Sequence, residues 1–172
     1  NTLVGTVMSN LGLVKFCEAN DVHFEATKVG DRYVLEKMLE QNYIIGGEQS
    51  GHVIFKDFAN TGDGELTSIQ ILNILSKSNK KMSEVASVMK RYPQVLINVK
   101  VREEAKGQYE NDSAVTKVIK EVSEELAGEG RVLIRPSGTE ALIRVMIEGL
   151  DQEDINKKAK KIADVIEKKF GI

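Results

Sequence analysis

The stretch from Asn1 to Phe55 switches repeatedly between strand-like and helix-like hydrophobic periods, and this constrains the fold more than any other feature. Leu3 to Met8 reads as a strand, and Ser9-Asn10 can cap a helix that carries Leu13, Val14 and Cys17. Val22 to Thr27 reads as a second strand, after which Gly30-Asp31 opens a helix with Val34, Leu35, Met38 and Leu39 on one apolar stripe. Tyr43-Ile44-Ile45 is a third strand running into the polar run 46–52, and Val53-Ile54-Phe55 resumes it. Strand–helix–strand–helix–strand order calls for parallel pairing with helices packed on the sheet, so residues 1–93 are expected to form a three-layer α/β/α domain with a mainly parallel sheet. Sites in such sheets form on loops at the carboxyl ends of strands, where residues 46–52 would lie.

Thr61-Gly62-Asp63-Gly64 ends in a plausible cap for a helix with Leu66, Ile69, Leu72 and Leu75 on one side. A shorter helix, Ser83 to Lys90, carries Val85, Val88 and Met89. Tyr92-Pro93 breaks the pattern and marks the expected domain boundary, leaving residues 94–172 as a smaller α+β unit. There Val95, Ile97, Val99 and Val101 alternate along a strand, and a helix near Asp112 to Ala127 places Val115, Val118, Ile119, Val122 and Leu126 on one face. Gly128 ends that helix. A last helix, capped near Asp151, aligns Ile155, Ala159, Ile162, Ile166 and Phe170, with a lysine-rich outer face that reads as solvated.

Between those two helices lies Arg135-Pro136-Ser137-Gly138-Thr139-Glu140-Ala141, held by the apolar runs Arg131–Arg135 and Leu142–Ile147. If the runs pair as a hairpin with Val132, Ile134, Ile143, Val145 and Ile147 inward, Arg135 and Arg144 both project from the other face. Gly138 leaves backbone N–H groups accessible, while Ser137 and Thr139 add hydroxyls. Two guanidiniums and several donors suit a phosphate. The same composition also suits a solubilising hairpin tip with Arg135 paired to Glu140.

The run Gly46-Gly47-Glu48-Gln49-Ser50-Gly51-His52 packs polar side chains among three glycines. If extended, it puts Glu48, Ser50 and His52 on one side, where Glu48 could accept from vicinal hydroxyls of a sugar. Alternatively Glu48 satisfies backbone N–H groups of the turn and His52 is a hydrogen-bonded structural histidine.

Composition narrows the remaining classes. A net charge of -2 gives no global attraction for nucleic acid, and the strands carry few aromatics, so a nucleic-acid partner is not expected. No apolar run approaches bilayer length, the amino terminus lacks a secretion signal, and no membrane partner is expected. The single cysteine, Cys17, rules out an internal disulfide and fits a reducing cytoplasm, while two histidines are too few for a histidine-rich metal centre. The chain opens on a strand without an initiator methionine, which reads as a fragment of something longer.

The two glycine-bearing loops resemble those of the α-D-phosphohexomutase superfamily: residues 46–52 its sugar-recognition loop, residues 135–140 the phosphate-binding loop of its last domain. Lys28–Val34 and Thr61–Gly64 are similar to segments of its phosphoglucosamine mutase branch, as are Gln49 and the Gly30-Asp31-Arg32 run. Ala141 departs from the pattern, where proline commonly follows the glutamate. The resemblance implies the third domain followed by a TATA-box-binding-protein-like fourth. It also implies interconversion of glucosamine 6-phosphate and glucosamine 1-phosphate through a phosphoserine enzyme and a bisphosphate intermediate. Glu48 and Ser50 would bind sugar hydroxyls, with His52 beside them assisting proton transfer. Arg135, Ser137, Gly138, Thr139 and Arg144 would bind phosphate, and Lys28 and Arg32 would line the cleft. Neither a catalytic serine loop nor an aspartate metal loop is found, so no catalytic or metal-binding residue is assigned here. The implied partners are a phosphorylated hexosamine and the missing amino-terminal domains, with Mg²⁺ bound outside these residues. Other readings are a phosphomannomutase or phosphoglucomutase of the same superfamily, or a non-catalytic phosphosugar-binding module.

Overall fold

The computed structural model describes residues 1–172, which divide into two compact units, Asn1–Arg91 and Tyr92–Ile172. In the first, strand β1 (Thr2–Thr6) leads to helix α1 (Leu11–Ala19), β2 (His23–Thr27), α2 (Asp31–Gln41), β3 (Ile45–Gly47) and β4 (Val53–Phe55). Helices α3 (Gly64–Ser78) and α4 (Met82–Ala86) complete it. The sheet runs β2-β1-β3-β4, with β1 parallel to both β2 and β3 and only β4 antiparallel. The chain moves one way from β1 to β2 and back the other way to β3, so right-handed crossovers put α1 and α2 on opposite faces. Val4 and Ile54 pack with Val34 and Met38 of α2 on one face. A Cβ at Gly46 would press on Met38 and Val34, so glycine there is what lets α2 approach β3.

Several expectations for this unit need correction. Asn42 adopts a left-handed conformation (φ 57) and the Tyr43 N–H still bonds to the Met38 carbonyl, so Tyr43 and Ile44 belong to the helix exit and β3 starts at Ile45. Val53–Phe55 does not resume that strand but folds back against it. Leu39 is exposed, leaving Val34 and Met38 as the buried part of the α2 stripe. The apolar side of α3 is also not buried: Ile69 and Leu72 are each 62% exposed, because α3 meets β4 over only part of its length. Helix α4 ends at Ala86, short of the expected Lys90.

The second unit follows the alternation closely. Strands β5 (Gln94–Lys100), β6 (Arg131–Pro136) and β7 (Leu142–Glu148) form an antiparallel sheet in the order β5-β7-β6, with α5 (Ser113–Glu125) and α6 (Gln152–Phe170) on one face. Strands β5 and β6 run parallel but are split by β7, and α5 makes the crossover. Two 3-10 turns, Glu103–Gly107 and Tyr109–Asn111, precede α5 and were not foreseen. Asp112 caps α5 by accepting from the Ala114 and Val115 N–H groups, and Asp151 caps α6 through the Asp154 N–H. Val115, Val118 and Val122 of α5 and Ile155, Ala159, Ile162, Ile166 and Phe170 of α6 close one core with Ile143, Val145 and Ile147. A fully buried aliphatic side chain contributes roughly 1.5–3 kcal/mol, so this core dominates the unit's stability. The chain leaves α5 through Ala127 (φ 47) and Gly128 (φ 80), and the second position favours glycine.

Candidate functional site

Three loops of the first unit converge at the carboxyl ends of β2 and β3. The Glu48 Oε1 accepts from the Gly30 N–H at 3.0 Å, tying the β3–β4 turn to the start of α2. The Gly62 N–H donates to His52 Nε2 at 3.1 Å, and Asp31 Oδ2 lies 3.5 Å from the same nitrogen. Residues 48–52 are not extended: the Glu48 N–H bonds to the His52 carbonyl, the Gly51 N–H bonds to the Glu48 carbonyl, and Gly51 has φ 95. Hairpin pairing, not strand alternation, therefore brings Glu48 and His52 together, and Ser50 sits exposed at the tip. The structural alternative for Glu48 and His52 is thus realised in part, since each satisfies a backbone N–H of another loop.

Lys28 is exposed, with its ammonium 6.0 Å from the centre of the Tyr33 ring. Arg32 lies along α2 and pairs with Glu36 at 2.7 Å, a contact that raises its pKa further. Neither joins the Glu48–His52 cluster through a contact of this kind. Ser9 and Asn10, read from sequence only as a helix cap, line a cavity of about 270 Å³ with Leu13, Ile45, Glu48 and Val53. The signal for them was position: they follow β1 at its carboxyl end, where such sheets place sites.

In the second unit, Arg135 of β6 stands directly opposite Arg144 of β7, and Ile134 opposite Val145. The inward set Val132, Ile134, Ile143, Val145 and Ile147 packs on the core, so both arginines occupy the other face. The Nε atoms of both are buried without a hydrogen-bond partner. Burial, and then the Arg144 charge, lower the pKa of Arg135 from its usual value. Glu140 pairs with Arg144 at 3.3 Å, not with Arg135 as the alternative reading of a solubilising tip had it. The loop closes through the Ser137 N–H to the Leu142 carbonyl, and Ser137 Oγ accepts from the Glu140 N–H, so this serine is buried and already engaged. Gly138 and Thr139 are exposed, and a side chain at Gly138 would meet open space. Glycine here is not demanded by the backbone turn; what it leaves is unobstructed access to main-chain donors.

The register adds Asn98, which sequence reading missed. Asn98 of β5 faces Arg144 across the strand pair, completing a row Asn98–Arg144–Arg135 on one face. The alternation of Val95, Ile97, Val99 and Val101 carried that signal once the strand order was known.

In the second unit two opposed guanidiniums, their Nε atoms buried, stand beside accessible main-chain donors; in the first unit a glutamate turn is tied to neighbouring loops. Residues 1–92 match the family model of phosphoglucomutase/phosphomannomutase alpha/beta/alpha domain III, and residues 96–165 match that of the phosphoglucomutase/phosphomannomutase C-terminal domain. The chain belongs to this family. It is 57% identical over 171 residues to phosphoglucosamine mutase of Caldicellulosiruptor bescii, covering 99% of this chain and 38% of that protein. It is 56% identical over 167 residues to the enzyme of the same name from Ruminiclostridium cellulolyticum, covering 97% and 37%. The chain therefore spans little more than a third of these relatives. Its fold also matches N-acetylphosphoglucosamine mutase of Aspergillus fumigatus in complex with GlcNAc-6P and magnesium, with a TM-score of 0.80 at 17% identity over 96% of this chain and 38% of that one.

Proposed function

We propose that this chain is the substrate-recognition part of a phosphoglucosamine mutase, which interconverts glucosamine 6-phosphate and glucosamine 1-phosphate in the cytoplasm and feeds UDP-N-acetylglucosamine and cell-wall synthesis. In this reading the whole enzyme donates a phosphoryl group from a phosphoserine, lets the bisphosphate reorient, and recovers the other phosphate. Arg135, Arg144 and the donors of residues 137–139 hold the phosphate that is not reacting. Glu48, with Ser50 and His52, reads sugar hydroxyls. Lys28 is retained as a cleft residue, and Arg32 joins it by exchanging Glu36 for substrate.

The observation that carries this reading is the opposed Arg135–Arg144 pair with both Nε atoms buried and unpartnered. Like charges facing each other on a strand pair are destabilising, and buried unsatisfied donors cost further free energy. An anion with several oxygens, bound at the solvent-facing ends of the guanidiniums, offsets the like-charge penalty. High identity to phosphoglucosamine mutases supports the choice of sugar.

Mg²⁺ belongs to the whole enzyme in this proposal. No three His, Cys, Asp or Glu side chains of residues 1–172 converge as ligands, so the residues present do not fit the ion. Phosphoryl transfer depends on positioning and charge stabilisation, so binding groups alone do not turn over substrate. Titrating the labelled chain with inorganic phosphate is expected to move the amide resonances of Ser137, Gly138 and Thr139; no movement there would remove the phosphate assignment. Assayed with a bisphosphate activator and Mg²⁺, the chain is expected to be inactive, and turnover matching an intact enzyme would refute that part.

A further inference from the structure

We propose that His52 is a positioning residue whose Nε2 is a standing hydrogen-bond acceptor, clipping the 61–63 loop to the β3–β4 turn and leaving the ring only a donor at Nδ1. The Gly62 N–H aims at Nε2 at 3.1 Å. A donor needs a lone pair, so in this arrangement the neutral ring carries its proton on Nδ1. A Cβ on Gly62 would overlap the imidazole, so residue 62 admits the ring at this distance only because it is glycine. The adjacent Asp63 caps α3 by accepting from the Leu66 N–H at 2.9 Å. The clip therefore fixes where α3 begins. On its other side, the His52 carbonyl accepts from the Glu48 N–H at 2.8 Å, and Glu48 Oε1 holds the Gly30 N–H. The His52 ring and carbonyl, together with the Glu48 carboxylate, thus tie the sugar-loop turn, the α3 cap and the entrance to α2 to one another.

The second partner of Nε2 demands the opposite state. Asp31 Oδ2, 3.5 Å away, is favourable only when Nε2 carries a proton. Protonation of the ring breaks the Gly62 bond and moves the imidazolium toward Asp31, which releases the 61–63 loop. The carboxylates on the surrounding segments are Asp31 at the start of α2, Glu48 on the turn and Asp63 in the clipped loop. For the proposed mutase, on which only this step rests, the consequence is chemical. A ring whose Nε2 is occupied does not accept a proton from substrate through that atom; it offers an Nδ1–H to a hydroxyl oxygen. His52 then orients the sugar and does not serve as its base.

Long-range proton–nitrogen correlation on the labelled chain at alkaline pH reads the tautomer directly, and the Nδ1–H form is expected. Protonation of the ring at low pH is expected to shift the Gly62 amide resonance and to lower its protection factor, measured against the intrinsic exchange rate at each pH. His52→Gln, whose side-chain carbonyl can reach the Nε2 position, is expected to keep the Gly62 amide protected. His52→Phe is expected to lose about fivefold or more of that protection, as removal of one net hydrogen bond implies. An Nε2–H tautomer, or a Gly62 amide indifferent to both variants and to pH, would overturn the proposal. The phosphate response of residues 137–139 is measured in the same samples, so the clip and the phosphate assignment fail separately.

Discussion

The outward face of the β5-β7-β6 sheet carries two rows that start from the same residue type and reach opposite electrostatic outcomes. At one end Arg131 of β6 faces Glu148 of β7, with Gln94 beyond it on β5. The Arg131 Nε–Glu148 Oε2 distance is 2.6 Å and Glu148 is wholly buried. At the other end Arg135 faces Arg144, with Asn98 beyond, and both Nε atoms lack partners. Leu96, Met146 and Leu133 form the row between. An arginine opposite a buried carboxylate is scaffold, closed within the chain. An arginine opposite an arginine, with only the exposed Glu140 carboxylate on one of the two, is left with cationic charge that a further anion can satisfy.

The sharpest way to break this comparison is to open the closed row. Glu148→Ala leaves Arg131 without its buried counter-charge, and removing one partner of such a pair costs about 3–5 kcal/mol. Chemical denaturation followed on a second-unit probe is expected to show a loss of that size; a change under about 1 kcal/mol would mean the two ends are not different in kind. Next in size is Arg135→Met. Loss of a charge-assisted contact, worth roughly 1.5–3 kcal/mol, is expected to weaken inorganic phosphate binding about 10–100-fold. Unlike Glu148→Ala, it should leave unfolding without phosphate unchanged or slightly harder, because it removes a repelled, partly buried cation. Equal destabilisation by both variants would erase the distinction.

How far these rows were legible from sequence differs along the chain. The opposition of Arg135 and Arg144 followed from alternation, because every inward residue between Val132 and Ile147 is aliphatic and the turn length left little freedom of register. The α5 and α6 stripes were equally plain. Asn98 was not, since its row depends on which strand lies beside β7, a long-range fact that periodicity does not carry. The first unit was harder throughout. Glu48 and His52 meet, but not by strand alternation: Gly51 at positive φ turns the segment into a hairpin, which periodicity does not foresee. The stripe of α3 was read as core because apolar spacing reports what a helix can bury, not what this chain offers to cover it. The clip between His52 and Gly62 left no spacing signal, since it joins two loops across a β-strand.

A subtler variant sharpens the contrast by converting one row into a copy of the other. Arg144→Glu places a carboxylate opposite Arg135, as Glu148 stands opposite Arg131, although Glu140 then loses its own partner. The like-charge penalty becomes an attraction of comparable size, and cross-strand charge pairs contribute about 0.2–1 kcal/mol. A small gain in unfolding free energy is expected, accompanied by loss of the phosphate-induced shifts at residues 137–139. Retained phosphate shifts would show that the main-chain donors hold the anion without the arginine pair.

Asn98→Asp should produce the smallest change, and it tests whether the third member of the row matters. Asn98 is exposed on β5 and faces Arg144 across the strand pair. A carboxylate there competes with phosphate for Arg144 through an exposed, solvent-screened interaction worth about 0.2–1 kcal/mol, so affinity should fall only about twofold to fivefold. Its pH dependence separates this cause from a packing change. The introduced group is charged above the ordinary aspartate range near about 3.9, where the weakening is fully present, and neutral well below it, where the variant should converge on the parent. Asn98→Ala, which adds no charge, is expected to stay within twofold of the parent at every pH, an effect under about 0.4 kcal/mol. If Asn98→Ala weakens phosphate as much as Asn98→Asp, and does so independently of pH, then Asn98 is itself a donor to the anion, and the open row has three members where the closed row has an ion pair.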